Sequence, residues 1–157
     1  MAGWEQELPD VLEEETRLLR RLADLAQQKY KPLRLGDVAR VDDFTGREHA
    51  VAEALALREE RRRQILTQAG LADRPLRELA AMAEGGAGGR LRAAFSAMTA
   101  ASAALRAASR RNWELIRTRL EWNGRLLRVM APERQMYDSR GGASRSGLPT
   151  GLVDRRV

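Results

Sequence analysis

The chain has no cysteine and one histidine, His49. Disulfides and thiolate metal sites are therefore excluded, and no histidine cluster can form; His49 reads as an ordinary helical residue. Aromatic residues make up only 4% of the sequence, and valine and isoleucine are scarce. The residue types that favour a sheet are missing, while alanine, leucine and arginine abound, so an all-α fold is expected. No run approaches the roughly 18 apolar residues of a membrane span, so no direct insertion into a membrane is expected. The opening "MAGWEQELPDVLEEE" is acidic and has no basic n-region, unlike a secretory signal. Together these absences point to a cytoplasmic protein.

Catalytic machinery is missing too. Carboxylates are plentiful, as in Glu13-Glu14-Glu15 and Glu59-Glu60, but solvated helix faces carry the same runs. A working acid–base pair needs a cleft, which a thin bundle rarely offers. We expect no enzyme activity, no metal and no cofactor.

The 157 residues suit one domain of ordinary size. The net charge is +6, carried almost wholly by arginine, since Lys29 and Lys31 are the only lysines. A basic helical bundle could bind nucleic acid. Against this, the arginines are spread along the chain among acidic residues. The densest run, "REERRRQ" at 58–64, holds two glutamates, and no aromatics interleave with the basic residues in the way that single-strand binders need. Arginine on solvated helix faces accounts for the charge, and no nucleic-acid partner is expected.

Hydrophobic periodicity marks four helical segments. In the first, over residues 7–30, Leu8, Val11, Leu12, Leu18, Leu19, Leu22, Leu25 and Ala26 recur at steps of three and four. Pro9 is expected in its first turn and Pro32 as its stop. The second begins at Asp37, an N-cap type preceded by Gly36, and ends near Gly70. Its stripe is thin, and Arg58 and Arg62 fall on it, where their stems can pack while the charges reach water. "LADRPLRELAAMAEGGAGG" encodes a short third helix, with Asp73 as expected cap and Pro75 in the first turn. The glycine-rich run at 85–89 lacks the "GK[ST]" of a phosphate loop, so it reads as a flexible interhelix loop.

The fourth segment, over about residues 90–130, is the longest. Leu91, Phe95, Met98, Leu105, Asn112, Ile116, Leu120, Asn123, Leu127 and Met130 keep a spacing near 3.5, a coiled-coil-like seam. Its alanine-rich middle lets neighbouring helices approach closely. The expected fold is an elongated antiparallel helical bundle of three long helices plus one short helix over residues 1–131, followed by a flexible C-terminal tail over 132–157. Asn112 and Asn123 are polar residues in the seam. They either set register within the bundle or line a surface that receives a partner. Trp113, Ile116, Leu120, Trp122, Leu126, Leu127 and Met130 span more than one helical face, so one intramolecular seam cannot bury them all. A partner helix or a homodimer would cover the remainder.

Past Pro132 there is little to bury, yet Tyr137 stands there between Met136 and Asp138. By composition alone it is an incidental aromatic.

The order of these motifs resembles the flagellar export chaperone family FlgN. The resemblance runs from about Leu8 to Gly142 and rests on several stretches. They are the leucine-rich opening "LPDVLEEETRLLRRLADLAQQKY", the Gly-Asp turn of "LGDVARVDDFTGREHAVAEALALREERRRQIL", and the short helix "RPLRELAAMA". The last is "NWELIRTRLEWNGRLLRVMAPERQMYDSRGG", an asparagine opening a long apolar helix with Tyr-x-x-x-Gly behind it. Pro32 and Gly46 depart from the family pattern in the first two helices. The resemblance implies a type III secretion chaperone that binds the C-terminal segments of the hook–filament junction proteins FlgK and FlgL and escorts them to the export gate, FlhA. It implies a client surface on Asn112, Trp113, Ile116, Leu120, Asn123, Leu127 and Met130, and gate docking by Tyr137. The readings that compete with it are a coiled-coil adaptor that only oligomerises and a basic nucleic-acid-binding bundle.

Overall fold

A computed structural model describes residues 3–130 and the backbone of 135–137 and 143–145. Three long helices and one short one account for nearly all of it: α1 (Gly3–Leu35), α2 (Val38–Gln68), α3 (Leu76–Met82) and α4 (Gly85–Met130). The all-α expectation holds, with the same count of long and short helices. Two three-residue strands, Gln135–Tyr137 and Ala143–Arg145, pair antiparallel with Tyr137 opposite Ala143. No element was expected there, because a tail so poor in apolar residues has no face to bury.

Both prolines of the first helix sit inside it. Pro9 and Pro32 are buried and the helix continues past each, so it starts before Pro9 and ends after Pro32. An interior proline costs a hydrogen bond, about 3 kcal/mol. Packing offsets this cost at the first site: Trp4 reaches back onto the core that Leu8 enters. The helix ends instead at Gly36, whose φ of 72° is left-handed. Asp37 N–H donates to Pro32 O and Gly36 N–H to Leu33 O, a Schellman closure. Asp37 then caps α2, its carboxylate accepting from Arg40 N–H at 3.1 Å. α2 closes in the same way: Gly70 has φ 70°, and Leu71 N–H donates to Leu66 O.

The third helix departs from expectation at its start. Pro75 occupies the N-cap with no side-chain bond, and Asp73 lies outside the helix. The glycine run is not a loop. It forms the first turn of α4, which begins at Gly85 directly after Ala83 and Glu84. The close turn explains the glycine: a Cβ on Gly88 would lie 2.2 Å from the Ala83 carbonyl oxygen.

The chain forms two compact units, Met1–Arg117 and Thr118–Val157. In the first, Glu7 pairs with Arg61 and Lys29 with Glu48, so α1 and α2 run antiparallel. Arg90 binds Asp10 and Glu13, and Asn112 binds Ala26, so α4 runs parallel to α1 and opposite to α2. The core joins all four helices through Leu8, Leu12, Leu66, Leu79, Ala80, Ala83, Leu91 and Ala94. Along α4 the buried alanines Ala94, Ala101 and Ala108 fall seven residues apart. Leu91, Met98, Leu105 and Asn112 keep the same interval on the adjoining position. Small residues at one seam position bring α4 close to its neighbours.

α2 contributes only Ile65 and Leu66 to the buried set, as its thin stripe foretold. Ion pairs help hold its middle: Arg58 to Glu14 at 2.7 Å, Arg61 to Glu7 at 2.8 Å and Arg62 to Glu15 at 2.7 Å. Arg58 and Arg62 thus spend their charges on α1 rather than only on water.

Candidate functional site

Two features of the described residues offer a partner something to hold. The first lies within the first unit. An open cavity of about 450 Å³ is lined by Leu22, Ala26 and Lys29 of α1, by α2 residues including Thr45, Glu48 and Ala52, and by Leu105, Asn112, Trp113 and Ile116 of α4. It exists because the N-terminal half of α2 faces α4 with small and polar side chains. The gap is not filled, and its walls are chiefly apolar.

Asn112 is the last buried residue of α4. Its Nδ2 donates to the Ala26 carbonyl at 2.7 Å, while its Oδ1 has no partner among the described residues. The amide therefore ties α4 to α1, as a register-setting asparagine would. Asn123 has no such setting and is exposed. The structure separates the two asparagines that the seam spacing put together. Trp113 is 61% exposed beside the cavity and Ile116 is half-buried. Nearby, Arg111 stacks on the Tyr30 ring with its guanidinium carbon 3.8 Å from the centroid, fixing the end of α1.

The second feature lies in the second unit, on residues 118–130 of α4. Leu120, Leu127 and Met130 are all more than 60% exposed. At 3.6 residues per turn they share a face with Asn123 between them. Trp122, Leu126 and Val129 are exposed on another face. So dense a set of exposed large side chains on one helix is the mark of a surface built for contact. Burying Leu120, Leu127 and Met130 would contribute roughly 5–8 kcal/mol before the cost of association, which is of similar size. Such a face suits reversible holding rather than permanent assembly.

A protein-family model described as "FlgN protein" matches residues 1–145. The chain belongs to the FlgN family. No curated protein and no solved structure matches it. Membership of the FlgN family carries the general role of a flagellar export chaperone. The exposed face of α4 lies inside the FlgN match, as do the asparagine-opened helix and Tyr137. The side chain of Tyr137 lies outside the described residues. No described helix is long and apolar enough to cross a membrane.

The cavity was not legible in the sequence. Its walls come from three helices, and its one sequence signal is the small, polar run of Thr45, Glu48, His49 and Ala52 on α2. The exposed face was legible, because Leu120, Leu127 and Met130 continue a seam for which the described residues supply no further helix.

Proposed function

We propose that this chain is a cytoplasmic chaperone that holds the C-terminal segments of the hook–filament junction proteins FlgK and FlgL, prevents their premature association, and delivers them to the export gate FlhA. It carries out no reaction of its own. The observation that supports this most is the exposed apolar face of Leu120, Leu127 and Met130, which an amphipathic client helix could cover. Asn123, polar and exposed on that face, offers its amide to the client. Trp113 and Ile116 beside the cavity extend the apolar surface available in the first unit. Asn112 contributes by holding α4 in register.

Gate docking is assigned to Tyr137. A tyrosine offers a large apolar face and one hydroxyl at low entropic cost, enough for a weak anchor. Client and gate binding then fall on different residues and are separable.

The test is a titration of a junction-protein C-terminal peptide against three variants. Leu120→Asp and Leu127→Asp are expected to abolish peptide binding with far-UV helicity retained, because an unpaired carboxylate in an apolar contact costs several kcal/mol. Tyr137→Ala is expected to keep peptide affinity within about threefold while weakening capture by the gate's cytoplasmic domain. Peptide binding untouched by both leucine variants would remove the proposed face. A concentration-dependent dimer dissolved by them would instead give that face to self-association.

A further inference from the structure

The open cavity of the first unit lies on a strip of α4 that the chain itself covers elsewhere. Leu91, Phe95 and Met98 of α4 pack with the core that α3 enters through Leu79, Ala80 and Ala83. Leu105 and Asn112, the next two seven-residue steps after Met98, line the cavity. One strip of α4 is thus covered by a short helix over its first stretch and open over the next. The adjoining register carries arginine. Arg92 follows Leu91, and its guanidinium donates to the carbonyls of Ala80 at 3.4 Å and Ala83 at 3.0 Å, at the C-terminal end of α3. Arg106 follows Leu105 in the same way, two heptads later. Trp113, one heptad further, lines the cavity, so Arg106 lies along the same edge of α4. Arg106 is exposed and makes no ion pair among the described residues. Glu114 is the one acidic residue of α4 between Gly85 and Arg117. On the α2 side of the cavity, Glu48 is paired with Lys29, and Glu53 lies 3.2 Å from His49. The α4 side is therefore the one that attracts an anion.

We propose that the cavity takes the last turns of a helix ending in a free α-carboxylate, and that Arg106 binds this carboxylate as Arg92 binds the end of α3. A helix is negative at its C-terminus, and a terminal carboxylate adds a full charge there. A guanidinium can meet that carboxylate with two parallel N–H donors. Apolar side chains at steps of three and four along the helix enter the space between Leu22, Ala26, Leu105 and Ile116. The C-terminal segment of a protein supplies such an end. The inference rests on the proposed client and adds the chemical group by which the first unit recognises it.

The experiment is a titration of the full chain with the junction-protein C-terminal peptide, once as the free acid and once amidated. The free acid is expected to bind about tenfold more tightly, a preference that shrinks as salt rises. Arg106→Gln should bind both forms alike, at the affinity of the amide. Arg20→Gln, on the side of α1 opposite the cavity-lining Leu22, loses the same charge and should keep the preference. Ser109→Phe, which fills the cavity, should weaken both forms about tenfold with far-UV dichroism unchanged. An amide that binds the wild type as well as the acid does overturns the proposal and leaves the client reading standing. A preference that survives in Arg106→Gln, or that is equally lost in Arg20→Gln, also overturns it. If neither peptide binds the wild type, both readings fall. A dimer that Ser109→Phe dissolves, with peptide binding unchanged, would give the cavity to a second copy instead.

Discussion

Replacing Glu15 by glutamine should stabilise the protein at neutral pH and do almost nothing in acid. Glu15 is buried in the α1 stripe, where its period expects an apolar residue. One carboxylate oxygen accepts from Arg62 at 2.7 Å, and the other has no partner among the described residues. Burial raises the pKa from 4.5 to about 6, against the lowering effect of Arg62 and with a further push upward from Glu59. The sign follows directly. The folded state holds its proton more tightly than the unfolded chain, so this group's contribution to stability is full below pH 4.5 and is lost as pH rises through about 6. The shift corresponds to about 2 kcal/mol at most. Glutamine keeps the acceptor for Arg62 and removes the charge. Glu15→Gln is therefore expected to match the wild type at pH 4.5 and to exceed it by about 1–2 kcal/mol at pH 7, a rise of roughly 3–6 °C in Tm. Thermal melts followed by far-UV dichroism at both pH values give the comparison. If the variant is less stable than the wild type at pH 7, the ion pair outweighs its desolvation and the reasoning fails.

Other outcomes follow from local geometry. Gly88→Ala should cost more than about 2 kcal/mol, because its Cβ would collide with the Ala83 carbonyl, whereas Gly89→Ala, with nothing within 4 Å, should be neutral or stabilising in the same melts. Asn112→Leu should change stability by less than about 1 kcal/mol, since the lost bond to Ala26 is offset by removal of an unpartnered buried oxygen. Peptide titration should find its client affinity unchanged. Leu12→Ala, in the fully buried core, should cost about 2–5 kcal/mol by denaturant unfolding with helicity retained in buffer.

The sequence by itself determined the fold class, the number of helices and both ends of α2. Those features are local: period, cap residues and C′ glycines act within a few residues of themselves, so Asp37, Gly36 and Gly70 do what their types foretell. The family was legible for the same reason, since motif order survives without knowledge of packing. Tertiary structure decided what local rules cannot. Pro9 lies within the helix because Trp4 and Leu8 pack on residues from the other helices. The glycine run starts α4, and the tight turn from Ala83 leaves Gly88 no room for a Cβ. Asn112 and Asn123 share a face in the sequence. Only packing shows that the first binds the Ala26 carbonyl and the second is exposed. A helical period says which residues lie together. Whether another element covers them depends on distant segments, and that information exists only in three dimensions.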